Sequence, residues 1–500
     1  VTATPLRIGL AFAVLLLLVS IPVFSTVLPP LFDYPNHLAR MHLLAEGGNA
    51  YYAVRWAPLP NLAEDLIVPS LAQVMPLALA GKLFLVLIFG MTAGGAVWLG
   101  REATGQWRWW PLLAFSLLYS RTFLWGFVNY LAGIGLALVA AALWLRLERA
   151  PAPVRVAVSI LAALACYLAH IEAFGVYALV IAGVEALPAL ALIRSRAWAA
   201  LAGRLAVAAP QFIGPAILFA FVWTPVAGGT LNFTRFWRKA DLPFSVFDDY
   251  SRPFDALCFA AFCLTLLGLA LMRRLNLAPR IGMAALFVTL AYLALPSQML
   301  SGSGADHRLP LAIFLLLVAG SAPRFASLSA ARWSAVAFIF IGLVRLAVIE
   351  AIWLQSDKVY AGDLAALDAL PQGAKLAVAF PASAVDMARI PETHLPVLAV
   401  ARREAFVPTL FAYPAQQPIA LNPPFAALAD AVRPEDVWAV FVELDASERA
   451  RLLPLMARFD FIVFTARDFV HVPPDPCLTP VSLTATFQIY RFAYAMCSAG

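Results

Sequence analysis

The sequence predicts a mainly α-helical, polytopic membrane protein with a small α/β domain at its C-terminal end. Three observations predict it. Of the 500 residues, 62% are hydrophobic and 13% charged, and the mean hydropathy is +0.82, which leaves too little polar surface for a water-soluble chain of this length. Apolar runs of about eighteen residues or more recur, each long enough to cross a hydrocarbon core of roughly 30 Å. From Gln355 on, prolines and charges become frequent and the apolar runs shorten to strand length. The net charge of +6 is modest. In such a chain, basic residues mark the sidedness of loops rather than nucleic-acid binding.

The first run, Ile8 to Leu28, is too long for the apolar core of a secretory signal, and Pro29-Pro30 follows it in place of a small-residue cleavage site. It reads as a signal anchor that stays. Apolar runs set against charged breaks give about eleven spans, at 8–28, 67–99, 109–119, 122–145, 154–168, 173–193, 205–223, 254–272, 281–295, 309–320 and 333–353. The third and tenth are short, so they are expected to be tilted, re-entrant or packed inside the bundle. A cytoplasmic N-terminus puts Arg7, Arg101, Arg108, Arg146, Arg149, Arg155, Arg194, Arg196, Arg204, Arg273, Arg274, Arg280, Arg324 and Arg332 in cytoplasmic breaks, as the positive-inside rule favours. Residues 1–354 then form a transmembrane domain. Segments 29–66, 224–253, 296–308 and everything after about 354 lie outside, which in a bacterial inner membrane is the periplasm.

In the tail, 355–500, KLAVAF (375–380), VWAVFVEL (437–444), FDFIVFTA (459–466) and TFQIYRF (486–492) have the composition of strands. DLAALDAL (363–370) and ASERARLLPLMARF (446–459) have helical periodicity. The tail has no Gly-rich phosphate loop, no HExxH and no CxxC. Of five cysteines, Cys166, Cys258 and Cys263 lie in apolar runs, while Cys477 and Cys497 flank TFQIYRF. In an exported domain this last pair is either a disulfide or two free thiols.

Chemistry-bearing residues gather at the outer ends of the spans. After the first span comes LFDYPNHLARMHLLAE, in which Pro35 suits the first turn of a helix. Leu38, Met41, Leu44 and Ala45 share one side of that helix, and His37 and Arg40 another. Asp33 just before it is either a helix cap or a general base, and with His37 it leaves room for a divalent metal. In SGSGADHRLP, residues 301–310, Asp306, His307 and Arg308 share one turn, and Arg308 has the planar fork that grips a phosphate. AHIEAF, residues 169–174, adds His170 and Glu172. The loop NFTRFWRKADLPFSVFDDYSRPFD, 232–255, interleaves aromatics with Arg235, Arg238 and Lys239, a mixture that stacks on sugar rings and holds phosphates, or simply forms an interfacial belt. Within the spans, Lys82, Glu185, Arg345 and Glu350 are costly charges. Arg345 with Glu185 is expected to be a structural ion pair, with a phosphate contact for Arg345 as the second reading.

LFDYPNHLARMHLLAE, LWGFVNYLAGIGLAL (124–138) and GADHRLPLAIFLLL (304–317), in an order of anchor span, acidic outer loop, many spans and exported tail, resemble the GT-C superfamily of integral-membrane glycosyltransferases. The resemblance covers the membrane region, about 350 residues of the chain. It implies transfer of a sugar from a polyprenyl-phosphate donor to a lipid, glycan or protein acceptor among membrane lipids, with no nucleic-acid partner. Asp33 would take the acceptor proton, His37 would assist, Arg308 with the 235–239 cations would meet the leaving phosphate, and Arg40, His170, Glu172, Asp306, His307 and Arg345 would complete the substrate- and phosphate-binding set. Where many relatives place a second acidic residue, this chain has His37, with Glu64 and Asp65 only later, so the resemblance leaves metal use open. A lipid or polysaccharide transporter, a non-enzymatic assembly protein and a membrane acyltransferase using His37 or His170 are the alternative classes.

Overall fold

The computed structural model describes residues 3–222, 232–233, 235–248, 250–299, 302–381, 391–465, 472–484 and 486–497. Residues 224–231 of the second outer loop, and Asp249, lie outside them. The anchor is α1 (Pro5–Ser25), opened by Pro5 and capped by Thr4, which accepts from the Arg7 N–H. Leu6, Leu10, Val14 and Leu17 on it are exposed, as suits a lipid-facing stripe. The first outer loop holds α2 (Tyr34–Glu46), β1 (Tyr52–Val54) and α3 (Ala63–Ala72). Gly47 ends α2 in the left-handed conformation with φ +84°.

The bundle continues with α4 (Leu77–Thr104), a 3-10 helix at Trp110–Leu117, α5 (Arg121–Leu124), α6 (Val128–Arg146), α7 (Ala152–Ala169) and α8 (Ile171–Arg194). Then come α9 (Trp198–Ala208), α10 (Pro210–Val222), α11 (Phe236–Lys239), α12 (Arg252–Leu271), α13 (Pro279–Ala294), α14 (Ala305–Gly320) and α15 (Leu328–Asp368). Short antiparallel ladders tie loops of the bundle, β2 (Leu275–Leu277) with β5 (Ser321–Pro323), and β3 (Gln298–Met299) with β4 (Gly302–Ser303). α4 and α6 pack closely because Gly95 and Gly135 face the partner backbone, where an added Cβ would lie 2.8 Å from Leu138 and from Met91.

Among the described residues, seven helices are long and apolar enough to cross a membrane, or eight if α9 and α10, bent by 46°, count as one broken span. The sequence-based count of about eleven is not reached. Run 109–119 is a 3-10 turn, and 281–295 and 309–320 became 16-residue helices, about 24 Å long.

The 41-residue α15 reaches about 60 Å. It is therefore long and apolar enough to cross a bilayer and continue as a stalk, and Asp357 on it accepts from the Val27 N–H at 2.7 Å. The expected domain boundary at 354/355 falls inside this unbroken helix, and residues 363–368, expected to belong to a separate helix, are its end.

The ion pair expected between Arg345 and Glu185 is absent. Glu185 meets Arg204, Arg280 at 3.4 Å and Arg155 at 3.7 Å. Arg155 sits near the start of α7, about 20 Å along that helix from His170. Arg345 donates to the carbonyls of Ser116, Tyr119 and Phe247 and lies 3.8 Å from Asp255. Both charges found their partners within their own layers of the bundle.

Beyond the stalk lies a four-stranded sheet in the order β6 (Leu376–Ala379), β8 (Phe461–Thr465), β10 (Phe487–Phe492) and β9 (Leu478–Leu483), with β6 parallel to β8 and the other pairs antiparallel. The domain also holds α16 (Leu398–Arg403), which packs on α2, α17 (Pro423–Ala431), α18 (Pro434–Phe441), which packs on β6, and α19 (Ala446–Met456), which packs on α18, and Cys477 is bridged to Cys497. The stretch VWAVFVEL, expected as a strand, belongs mostly to α18. Pro434 opens that helix, Glu435 and Asp436 fill its first turn, and Val437, Val440 and Phe441 are buried at helical spacing. Here the three-and-four spacing overrode the β propensity of valine and phenylalanine.

The sheet domain is fastened to the first outer loop. β1 pairs antiparallel with β7 (Ile419–Leu421), Tyr52 donates to the Val407 carbonyl at 2.7 Å, and His42 lies 2.7 Å from Glu404.

Candidate active site

A cavity of about 310 Å³ opens between the bundle and the C-terminal domain. Its floor is Phe32, Asp33, His37, Arg40, Asn61, Trp125 to Tyr130, His170 and Arg308, and its roof is His394, Phe411, Tyr413, Gln416 and Gln417. Three of the four sequence clusters thus meet in one place, although they are far apart in the chain.

Asp33 is set by the turn that follows α5. Its N–H donates to the Trp125 carbonyl at 3.2 Å, and the Phe32 N–H to the Leu124 carbonyl at 2.9 Å. Gly126 makes this approach possible. Its φ is +85°, and a Cβ there would lie 3.0 Å from both the Cβ and the N of Asp33. Gly126→Ala combines left-handed strain of about 1 kcal/mol with a push on Asp33. The expected result is folded protein whose activity falls about a hundredfold, since a displacement near 1 Å at a reacting group has that effect. Activity and thermal unfolding measured on the same sample check it.

Asp33 stands at the N-cap position of α2, but its side chain makes no capping hydrogen bond, which speaks against the helix-cap reading. His394 Nε2 is 3.7 Å from it, and the side chain is 14% exposed. Burial pushes its carboxyl up to about 6, against the opposing pull of His37, Arg308 and Arg40.

His37 and Arg40 lean on two buried carboxylates. Arg40 grips Asp65 through Nε at 2.8 Å and Nη2 at 3.3 Å. His37 Nδ1 is 2.5 Å from Glu64, and Arg40 Nη2 is 3.6 Å from it. Asn129 accepts from the Glu64 N–H at 2.6 Å and donates to Asn61 at 3.0 Å and Asp65 at 3.3 Å. Arg40, expected at a phosphate, is therefore held in an internal ion pair with its side chain 1% exposed.

His170 caps α8, its Nδ1 accepting from the Glu172 N–H at 3.1 Å. Burial and the Arg308 charge hold its pKa well below the usual range, so it is neutral. Arg308 meets Glu172 at 2.6 Å and lies over the Phe127 ring at 4.1 Å. His307 stacks on Trp125, ring centres 5.4 Å apart.

The rest of the expected phosphate set is elsewhere. Lys239 is buried against the carbonyls of Tyr292 and Leu295 and lies 3.6 Å from the fully buried Asp306. Arg235 and Arg238 are exposed beside Phe233, Phe236 and Trp237. Arg345 is buried away from the cavity wall. These four and Asp306 do not line the cavity. Among the described residues, no three His, Cys, Asp or Glu side chains come together as a metal site. Asp33 and His37 as metal holders also face Arg40, so the donor set does not fit a divalent ion.

No family model matches the chain, and no curated protein matches it by sequence. Among solved structures it is similar to ArnT from Cupriavidus metallidurans bound to undecaprenyl phosphate, with a TM-score of 0.51, 12% identity and 98% of each chain covered. It is also similar to the arabinofuranosyltransferase AftD from Mycobacteria, with a TM-score of 0.46 and 16% identity, over 98% of this chain and 42% of that one. Over nearly its whole length, bundle and C-terminal domain together, this chain shares the fold of ArnT.

Proposed function

We propose that the chain is a membrane glycosyltransferase that moves a sugar from a polyprenyl-phosphate donor to a lipid, glycan or protein hydroxyl at the periplasmic face of a bacterial inner membrane. The observation that carries this reading is Asp33: a carboxylate on the floor of a roofed cavity, without a side-chain hydrogen bond among the described residues, in the field of Arg308. Shared fold with ArnT, solved with undecaprenyl phosphate bound, supports the donor class.

In the reaction, Asp33 takes the proton of the acceptor hydroxyl as its oxygen bonds to the sugar C1. The C1–O bond to phosphate breaks, and polyprenyl phosphate leaves with the electron pair. Arg308, at the cavity wall, meets the charge growing on that phosphate. Glu172 holds the guanidinium in place. Trp125, Phe127, Tyr130 and Tyr413 offer faces to the sugar ring, and Gln416, Gln417 and Asn61 offer amides to its hydroxyls. Arg235 and Arg238, with their exposed aromatics, rest on lipid headgroups. No step is routed through a metal.

The pH dependence of transfer tests this reading. The ionised form of Asp33 is the active base, and its pKa lies near 6. Transfer from radiolabelled polyprenyl-phosphate sugars should be flat above pH 6 and fall about tenfold per pH unit below it. A limb near pH 4, or none, counts against Asp33.

A further inference from the structure

The C-terminal domain brings His394 to the acidic centre, on the 3-10 helix at 391–397. The network around it fixes which ring nitrogen carries the proton. The Phe411 N–H donates to Asn36 Oδ1 at 3.0 Å, so the other end of that amide is the NH2 group. Asn36 Nδ2 is 2.7 Å from His394 Nδ1. An NH2 group can only donate, so Nδ1 is the acceptor and the proton of the neutral ring sits on Nε2. The ring is neutral, since burial and His37 lower its pKa to about 3. Nε2 is the atom that faces Asp33 Oδ1, at 3.7 Å. Phe32 and Phe411 hold the ring edge-on, with centres 4.4 and 5.3 Å away.

We propose that His394 is a positioning residue for the transfer reaction: its Nε2–H orients the Asp33 carboxylate so that the other oxygen faces the acceptor hydroxyl. The C-terminal domain thereby completes the site instead of merely covering it. Asn36 is the part that sets the tautomer, which explains a buried asparagine at the seam of the two domains. Arg40 and Arg308 supply the positive field around Asp33 from α2 and α14, and the neutral His394 adds direction without charge. The inference rests on the reading of Asp33 as the base.

Two substitutions separate this role from packing. His394→Phe keeps the ring between Phe32 and Phe411 and removes the donor. His394→Gln loses the ring and keeps an N–H donor at the Nε2 position. Each is compared with wild type and Asp33→Asn for transfer from radiolabelled undecaprenyl-phosphate sugars, in membrane vesicles whose own lipids and glycans serve as acceptors. Binding of undecaprenyl phosphate is followed in parallel by tryptophan fluorescence. The expected result is a kcat loss of about thirtyfold in His394→Phe, recovery to within about fivefold in His394→Gln, and unchanged undecaprenyl-phosphate affinity in both. The reverse order, an active Phe variant with an inactive Gln variant, assigns His394 to packing and overturns the proposal. Equal activity in the two variants also overturns it. Wild-type-like transfer by Asp33→Asn removes Asp33 as the base and this inference with it, and no transfer by wild type removes the glycosyltransferase reading itself.

Discussion

Asp33→Asn is expected to abolish transfer, by about 10²- to 10⁴-fold, while leaving the protein at least as stable as wild type above pH 6. The second half of this result follows from linkage. The folded pKa of about 6 lies above the ordinary 3.8, so the fold favours the protonated carboxyl. The stability gained from protonation is full below the unfolded pKa and is lost as pH rises from about 4 to about 6. Above that range wild type carries an ionised, poorly solvated carboxylate, and the isosteric amide does not. Thermal unfolding in detergent at pH 7.5 should therefore give the variant an equal or higher midpoint. A site residue that weakens the fold and carries out the chemistry has this signature, and a helix cap has the opposite one. Loss of both activity and stability in Asp33→Asn would make Asp33 structural.

Arg40→Met should do the reverse and act mainly on folding. It leaves Asp65, 1% exposed, without its bidentate partner and Glu64, fully buried, without its arginine. Removing one member of a buried charge network destabilises by about 3–5 kcal/mol. Thermal unfolding and the yield of monodisperse protein measure the loss. Asp65→Asn combined with Arg40→Met should recover part of it, because the stranded charge is then gone. An Arg40→Met variant of normal stability but raised donor KM would instead return Arg40 to the phosphate role that its sequence position suggested.

The floor of the cavity was legible because outer-face polar residues in an apolar chain stand out one cluster at a time. Asp33, His37, His170, Glu172 and Arg308 follow or precede long apolar runs, and the ends of spans that share a side of the membrane converge. The partners of those residues were not legible. Glu64 and Asp65 lie 24 or more positions from the groups they hold, in a loop whose folding no periodicity reveals. Lys239 and Arg345 look like free cations in sequence, yet backbone carbonyls and Asp306 or Asp255 absorb them. His394 is 358 residues from Asn36, so the roof depends on the pairing of β1 with β7, three residues from each side. Those strands are too short for alternation to show. The span count of about eleven is not confirmed for a related reason: short apolar segments can be packed inside a bundle, and composition does not separate them from segments that cross it.

The central claim is that bond cleavage at the sugar C1 occurs in this protein. The most direct measurement is the fate of a polyprenyl-phosphate sugar labelled in both the sugar and the phosphate, incubated with the wild-type protein in membrane vesicles. Glycosyl transfer predicts one equivalent of free polyprenyl phosphate for each labelled sugar on the acceptor, with neither formed by Asp33→Asn. Donor that crosses the bilayer with both labels still joined, and no free polyprenyl phosphate, would contradict the account and identify a transporter.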